Sequence, residues 1–127
     1  MRYVSSSFLD STLRRGKSLE QFLGGLVQDS EHCIRWIEVR PAKGGIEVWS
    51  FVAPDYGDEE RLDFYEFIGV DEGVLEATFE DSADALRYAS EKLGAHPDRW
   101  VNQFVSQDEY LDFIRAGRPA SWPRVGV

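Results

Sequence analysis

The sequence predicts an α+β fold: one domain spanning residues 1–127, built on a mainly antiparallel sheet of about five to six strands with about three helices packed largely on one face. Three observations carry that expectation. Stretches rich in β-branched and aromatic residues flank a turn segment at Pro41 to Gly45, capped segments with helical apolar stripes come late in the chain, and 127 residues suffice for one core. A hydrophobic content of 43% and an aromatic content of 13% suit a packed globule rather than a disordered chain.

Each element follows from local pattern. A short strand opens the chain at RYVSS. Ser18 then precedes Leu19, Phe22, Leu23 and Leu26, an i, i+3, i+4, i+7 stripe, and Gln21 completes a capping box, so SLEQFLGG reads as a short helix that Gly24 and Gly25 weaken. CIRWIEVR and IEVWSFVA, on either side of the five residues Pro41 to Gly45, read as a hairpin. LDFYEFIGV and VLEATF, separated by Asp71, Glu72 and Gly73, read as a second one. Within it, period-two alternation turns Leu62, Phe64 and Ile68 to the core and Asp63, Tyr65 and Phe67 the other way.

EDSADALRYASEKLG is a helix by pattern, capped by Asp81 or Ser82, striped by Leu86, Ala89 and Leu93, and stopped by Gly94. RWVNQFV reads as a further strand. SQDEYLDFIRAGRP closes the fold as a helix, with Ser106 and Glu109 as a capping box, Tyr110, Phe113 and Ile114 as its stripe, and Gly117 then Pro119 at its end. Residues 118–127 are expected to be a partly ordered tail pinned by Trp122.

Composition narrows the function classes. No run approaches the roughly 20 apolar residues that span a bilayer, and the opening MRYVSSSFLDST lacks the apolar centre of a secretory signal. A lone Cys33 allows no internal disulfide and suits a reducing compartment, so the expected location is cytoplasmic. The net charge of −9 is unevenly spread. Residues 1–50 carry seven bases and six acids, whereas residues 55–84 carry twelve acids and only Arg61. A field of that sign repels phosphates and anionic membranes and steers basic partners inward, which argues against nucleic acid and membrane partners.

Catalytic signatures are weak. His32 and Cys33 are adjacent on a strand and point to opposite faces, so they do not converge as nucleophile and base; a small buried thiol beside a surface imidazole is the simpler reading. With His96 they make no zinc site of the usual spacing, and Gly57 falls at the wrong offset for an EF-hand loop. Gly24-Gly25 and Gly44-Gly45 match no phosphate-binding loop. Abundant carboxylates do not by themselves make an acid–base pair, which needs two environments that push the pKa values apart. The expectation is a non-enzymatic protein without metal or cofactor.

The stretch APDYGDEERLDFYEF, Ala53 to Phe67, is the one candidate site. Its bland reading is a polar loop whose acids keep the protein soluble. Its sharper reading is an interface with aromatic anchors inside a charged rim, formed by Asp55, Tyr56, Asp58, Glu59, Glu60, Asp63, Tyr65 and Glu66.

Across most of its length the chain resembles the small acidic immunity proteins of bacterial contact-dependent and polymorphic toxin systems. The segments SLEQFLGG, IRWIEVRPAKGGIEVWSF, DYGDEERLDFYEF and WVNQFVSQDEYLDFIRAG carry that likeness in size, charge and layout. The resemblance implies a cytoplasmic protein that binds a cognate toxin domain, often a nuclease, and blocks it without chemistry. Two other readings stay open. One is an acidic DNA mimic that inhibits a nucleic-acid-binding protein. The other is a small-molecule-binding or enzymatic domain with an acidic pocket, which Trp36, Trp49 and Trp100 could line, although strand tryptophans more often belong to the core.

Overall fold

A computed structural model describes residues 2–123, and in it each long strand pairs antiparallel with its neighbours in a five-stranded sheet of order β4-β3-β2-β1-β5. The strands are β1 (Leu19–Gln28), β2 (Glu31–Ala42), β3 (Gly45–Pro54), β4 (Val74–Phe79) and β5 (Val101–Asn102). The helices are α1 (Leu9–Arg14), α2 (Ser82–Leu93) and α3 (Ser106–Arg115). The fold is α+β, as the sequence predicts.

The segment expected to be the first helix is instead β1. Leu19 pairs with Val39 and packs into one apolar cluster, whereas Phe22 pairs with Trp36 and packs into another on the opposite face. Residues 19–22 are all buried because both faces are covered, so the period-two alternation that marks a one-sided strand disappears and the apolar spacing imitates a helix. The glycines serve the strand. Gly24 lies at the irregularity where β1 shifts register, at φ 98°, and a Cβ there would come within 2.6 Å of Trp122 Cβ. Asp29 and Ser30, both at positive φ, then turn the chain directly into β2.

The central hairpin is tighter than expected. Pro41 and Ala42 pair with Ile46 and Gly45, which leaves only Lys43 and Gly44 as the connection. The second expected hairpin does not form. β4 pairs with β3, from Ile46 opposite Phe79 to Ser50 opposite Val74, and its expected partner LDFYEFIGV is a loop around one 3-10 turn, Phe64–Glu66. RWVNQFV shrinks to the two residues of β5, and RYVSS to a single bridge between Tyr3 and Val101.

The helices divide between the two faces rather than sharing one. Leu9 and Leu13 of α1 and Ala85 and Ala89 of α2 cover Leu19, Ile37, Val39 and Val48. Tyr110 and Phe113 of α3, with Phe64, cover Phe22, Ile34, Trp36 and Ala53 on the other side. The middle of β2, Ile34 to Val39, therefore lies between apolar layers on both faces.

Asp81 caps α2 by accepting from Asp84 N at 2.9 Å, and Gly94 at φ 81° ends it, both as expected. At α3 the expected capping box is absent: Val105 occupies the cap position, with no side-chain cap bond. Glu109 turns inward instead. It accepts from Arg99 Nη2 at 2.8 Å, from Trp122 Nε1 at 3.2 Å and from the Tyr3 hydroxyl, which ties both ends of the described chain to α3. Trp122 also packs edge-on against Phe113; residues 124–127 of the expected tail lie outside the described residues.

Candidate functional site

The acidic loop begins where β3 leaves the sheet. Asp55 N donates to His32 O at 3.0 Å, and Gly57 N to the Tyr110 hydroxyl at 2.9 Å. Gly57 is required there, because a Cβ would lie 2.5 Å from both Arg61 O and the Tyr110 ring. Asp58 then folds the tip. Its Oδ1 accepts from Glu60 N at 2.8 Å and Arg61 N at 3.0 Å, the aspartate turn chemistry that a short polar side chain supplies. Fully buried Phe64 pins the 3-10 turn to the core, and Asp71 returns the chain to β3, its N donating to Val52 O at 3.1 Å. The loop is thus held at its start, middle and end.

Those anchors decide which of the eight expected interface residues reach solvent. Asp55 does not: its side chain is 6% exposed, accepts from Arg118 Nε at 2.8 Å and receives the Tyr110 hydroxyl. Burial, and then the Asp55 carboxylate, push the Tyr110 phenol well above its ordinary range. Tyr65 is half-buried rather than exposed. Its hydroxyl donates to Glu20 Oε1 at 2.5 Å and its ring packs between Trp36, Phe64 and Phe104. Both are corrections to the expected surface. Tyr56, Asp58, Glu59, Glu60, Asp63 and Glu66 are exposed.

Of these, Tyr56, Glu60, Asp63 and Glu66 border a groove of about 460 Å³, together with Arg61. Its apolar lining is Tyr56, Leu62, Phe67 and Ile68, and its carboxylates are Glu60, Asp63 and Glu66. Ile68 is 87% exposed and Tyr56 51%. Ile68 was expected in the core. The 3-10 turn breaks the period-two register after Phe64, so Ile68 swings outward while Phe67 packs against Tyr110 and Tyr56. Asp58 and Glu59 stand at the turn, each only loosely paired, with Arg61 at 3.9 Å and Arg115 at 3.8 Å.

A second site escaped the sequence reading. Glu20 and Glu38 are register partners on β1 and β2, 2% and 6% exposed, and both line a cavity of about 240 Å³. Trp36, Phe51, Tyr65 and Phe104 wall it. Burial raises the Glu20 carboxyl above its ordinary range, against the lowering effect of its bonds from Tyr65 and Phe104 N, and Glu38 pushes it further up. Burial and the same carboxyl hold the Tyr65 phenol high. The available signal lay in WIEVR alone, where Glu38 falls between Ile37 and Val39; around Glu20 there is no alternation to read.

Cys33 is buried, its thiol donates weakly to Glu31 O at 3.7 Å, and burial holds its pKa up. Among the described residues no three His, Cys, Asp or Glu side chains converge as metal ligands, and no helix is long and apolar enough to cross a membrane.

No family model, no curated protein and no solved structure matches this chain.

Proposed function

We propose that this protein is an immunity-type inhibitor: it binds a basic partner protein, a bacterial toxin domain of the nuclease kind, through the groove bordered by Tyr56, Glu60, Asp63, Glu66 and Ile68, and blocks it without chemistry. The observation that carries this reading is the exposed Ile68 and Tyr56 set among carboxylates on a loop anchored to the core. Apolar anchors of that kind supply affinity once desolvated, and the surrounding charge supplies rate and selectivity. A nuclease holds phosphates on Lys and Arg, so a carboxylate-rimmed patch competes for the same surface. Grouping of these acids on one loop favours a local patch over an extended row of duplex-like phosphate mimics.

The test is whether the neighbouring reading frame encodes a basic toxin domain that this protein binds and blocks. Reversal of three groove charges, Glu60→Lys, Asp63→Lys and Glu66→Lys, is expected to slow association by about 10- to 100-fold at low salt and to leave the fold intact by circular dichroism. Association as fast as wild type would remove this surface from the interface.

A further inference from the structure

β4 is an edge strand. It stands last in the sheet order and pairs with β3 on one side only; among the described residues no backbone hydrogen bond leaves its other side. A row of unpaired N–H and C=O groups is a template for another chain, and proteins usually blunt it with Lys or Pro. VLEATF, Val74–Phe79, contains neither and is rich in residues that favour strands. Its one interruption is Glu76, which has no register partner between the pairs of Leu75 with Trp49 and Ala77 with Val48. Ser50 Oγ donates to the Glu76 carboxylate at 2.6 Å, which holds that charge back toward β3 rather than across the open edge.

The start of the strand also shows apolar side chains to solvent. Val74 is 54% exposed and Leu75 46%. Leu75 stands beside half-buried Trp49, whose ring stacks on Phe51 at the margin of the cluster that includes Tyr110 and Phe113 of α3. α3 packs on β1, at the far side of that face, whereas α2 packs on β3 and β4 from the opposite face. A strand laid along β4 would continue the ladder and set alternate side chains beside Val74 and Leu75.

Charge identifies the kind of chain. Residues 71–81 contain Asp71, Glu72, Glu76, Glu80 and Asp81 and no base. Among the described residues none of these five carboxylates is in an ion pair. A second copy fits poorly. Antiparallel pairing of two β4 strands brings Asp71 and Glu72 of one copy toward Glu80 and Asp81 of the other, and parallel pairing sets each acid near its own equivalent. An extended segment that carries Lys or Arg meets a field of opposite sign.

We propose that the open edge of β4 takes up an extended, basic segment of another protein as a further strand of the sheet. Backbone hydrogen bonds hold the segment, apolar side chains lie beside Val74 and Leu75, and Lys or Arg faces the flanking acids. This does not rest on the groove reading, because no residue of β4 lines the groove.

The experiment is an NMR titration of the isotope-labelled chain with three short synthetic peptides. One alternates valine with lysine, one alternates valine with glutamate, and the third is the lysine peptide N-methylated along its backbone. Saturable shifts at the Val74, Leu75 and Thr78 amides are expected with the unmethylated lysine peptide alone. Binding should weaken about fivefold when salt rises from about 50 mM to about 500 mM. Leu75→Lys, at an exposed position, should weaken it about tenfold with an unchanged circular dichroism spectrum. Equal binding of the methylated peptide would show that backbone pairing is not used, and equal binding of the glutamate peptide that charge is not read. Self-association of the chain that Leu75→Lys abolishes, seen by sedimentation, would give the edge to a second copy. Any of these results overturns the proposal, as do shifts confined to Tyr56 through Ile68, absence of saturation, or full binding by Leu75→Lys.

Discussion

The groove and the cavity use the same residue types, carboxylates beside aromatic and aliphatic side chains, and place them in opposite dielectric environments. At the groove, Glu60, Asp63 and Glu66 stand in water, where each pair interaction is worth little and salt screens it within about 10 Å. Their collective field acts at a distance, on encounter rate. In the cavity Glu20 and Glu38 are desolvated, so each hydrogen bond or counter-charge matters individually and acts only at contact. Solvent decides whether an acid steers or selects.

The largest expected effect comes from the element both regions share. Phe64→Ala removes a fully buried ring that holds the 3-10 turn, with Tyr65 on the cavity side and Glu66 on the groove side. It is expected to cost about 3–5 kcal/mol in urea unfolding and to loosen both sites together. If only one site changes, the turn is not their common support.

Next comes Ile68→Asp. It should weaken partner binding by about 2 kcal/mol, some 30-fold by calorimetry, with stability within about 0.5 kcal/mol of wild type. Equal affinity would mean that Ile68 is not an anchor.

Glu20→Gln sharpens the electrostatic half of the contrast. The Glu20 carboxyl is raised above 4.5 in the folded protein, so the native state holds its proton more tightly than the unfolded chain. The stability linked to that proton is fully present below pH 4.5 and is lost as pH rises through the folded value. Wild-type urea midpoints should therefore carry a downward slope above pH 4.5 that Glu20→Gln removes. An identical pH profile in the variant would contradict the assignment. At the small end, Glu59→Gln at the exposed tip should shift stability by less than about 0.5 kcal/mol, because its pair with Arg115, at 3.8 Å, is open to solvent.

The parts of this fold legible in the sequence are those governed by local rules. Asp81 and Gly94 bound α2 because a cap bond and a left-handed residue need only their neighbours. The β2–β3 hairpin is legible for the same reason. β1 was not, since a strand covered on both faces has no alternation to read and only the pairing of Leu19 with Val39 and Phe22 with Trp36 distinguishes it from a helix. Six of the eight expected interface residues are exposed on the loop. Asp55 and Tyr65 are not, because Arg118, Tyr110 and Glu20 claim their polar atoms across 63, 55 and 45 residues of sequence.

Sequence alone settled the fold class, the ends of α2 and the concentration of negative charge between residues 55 and 84, because composition, caps and turn residues act over a few positions. Tertiary structure alone decided that β1 is a strand, that the helices divide between two faces, that Ile68 points outward and that Glu20 and Glu38 are buried side by side. Each of those outcomes depends on which residues distant in the chain compete for the same neighbour. Local propensity cannot encode that competition; packing resolves it.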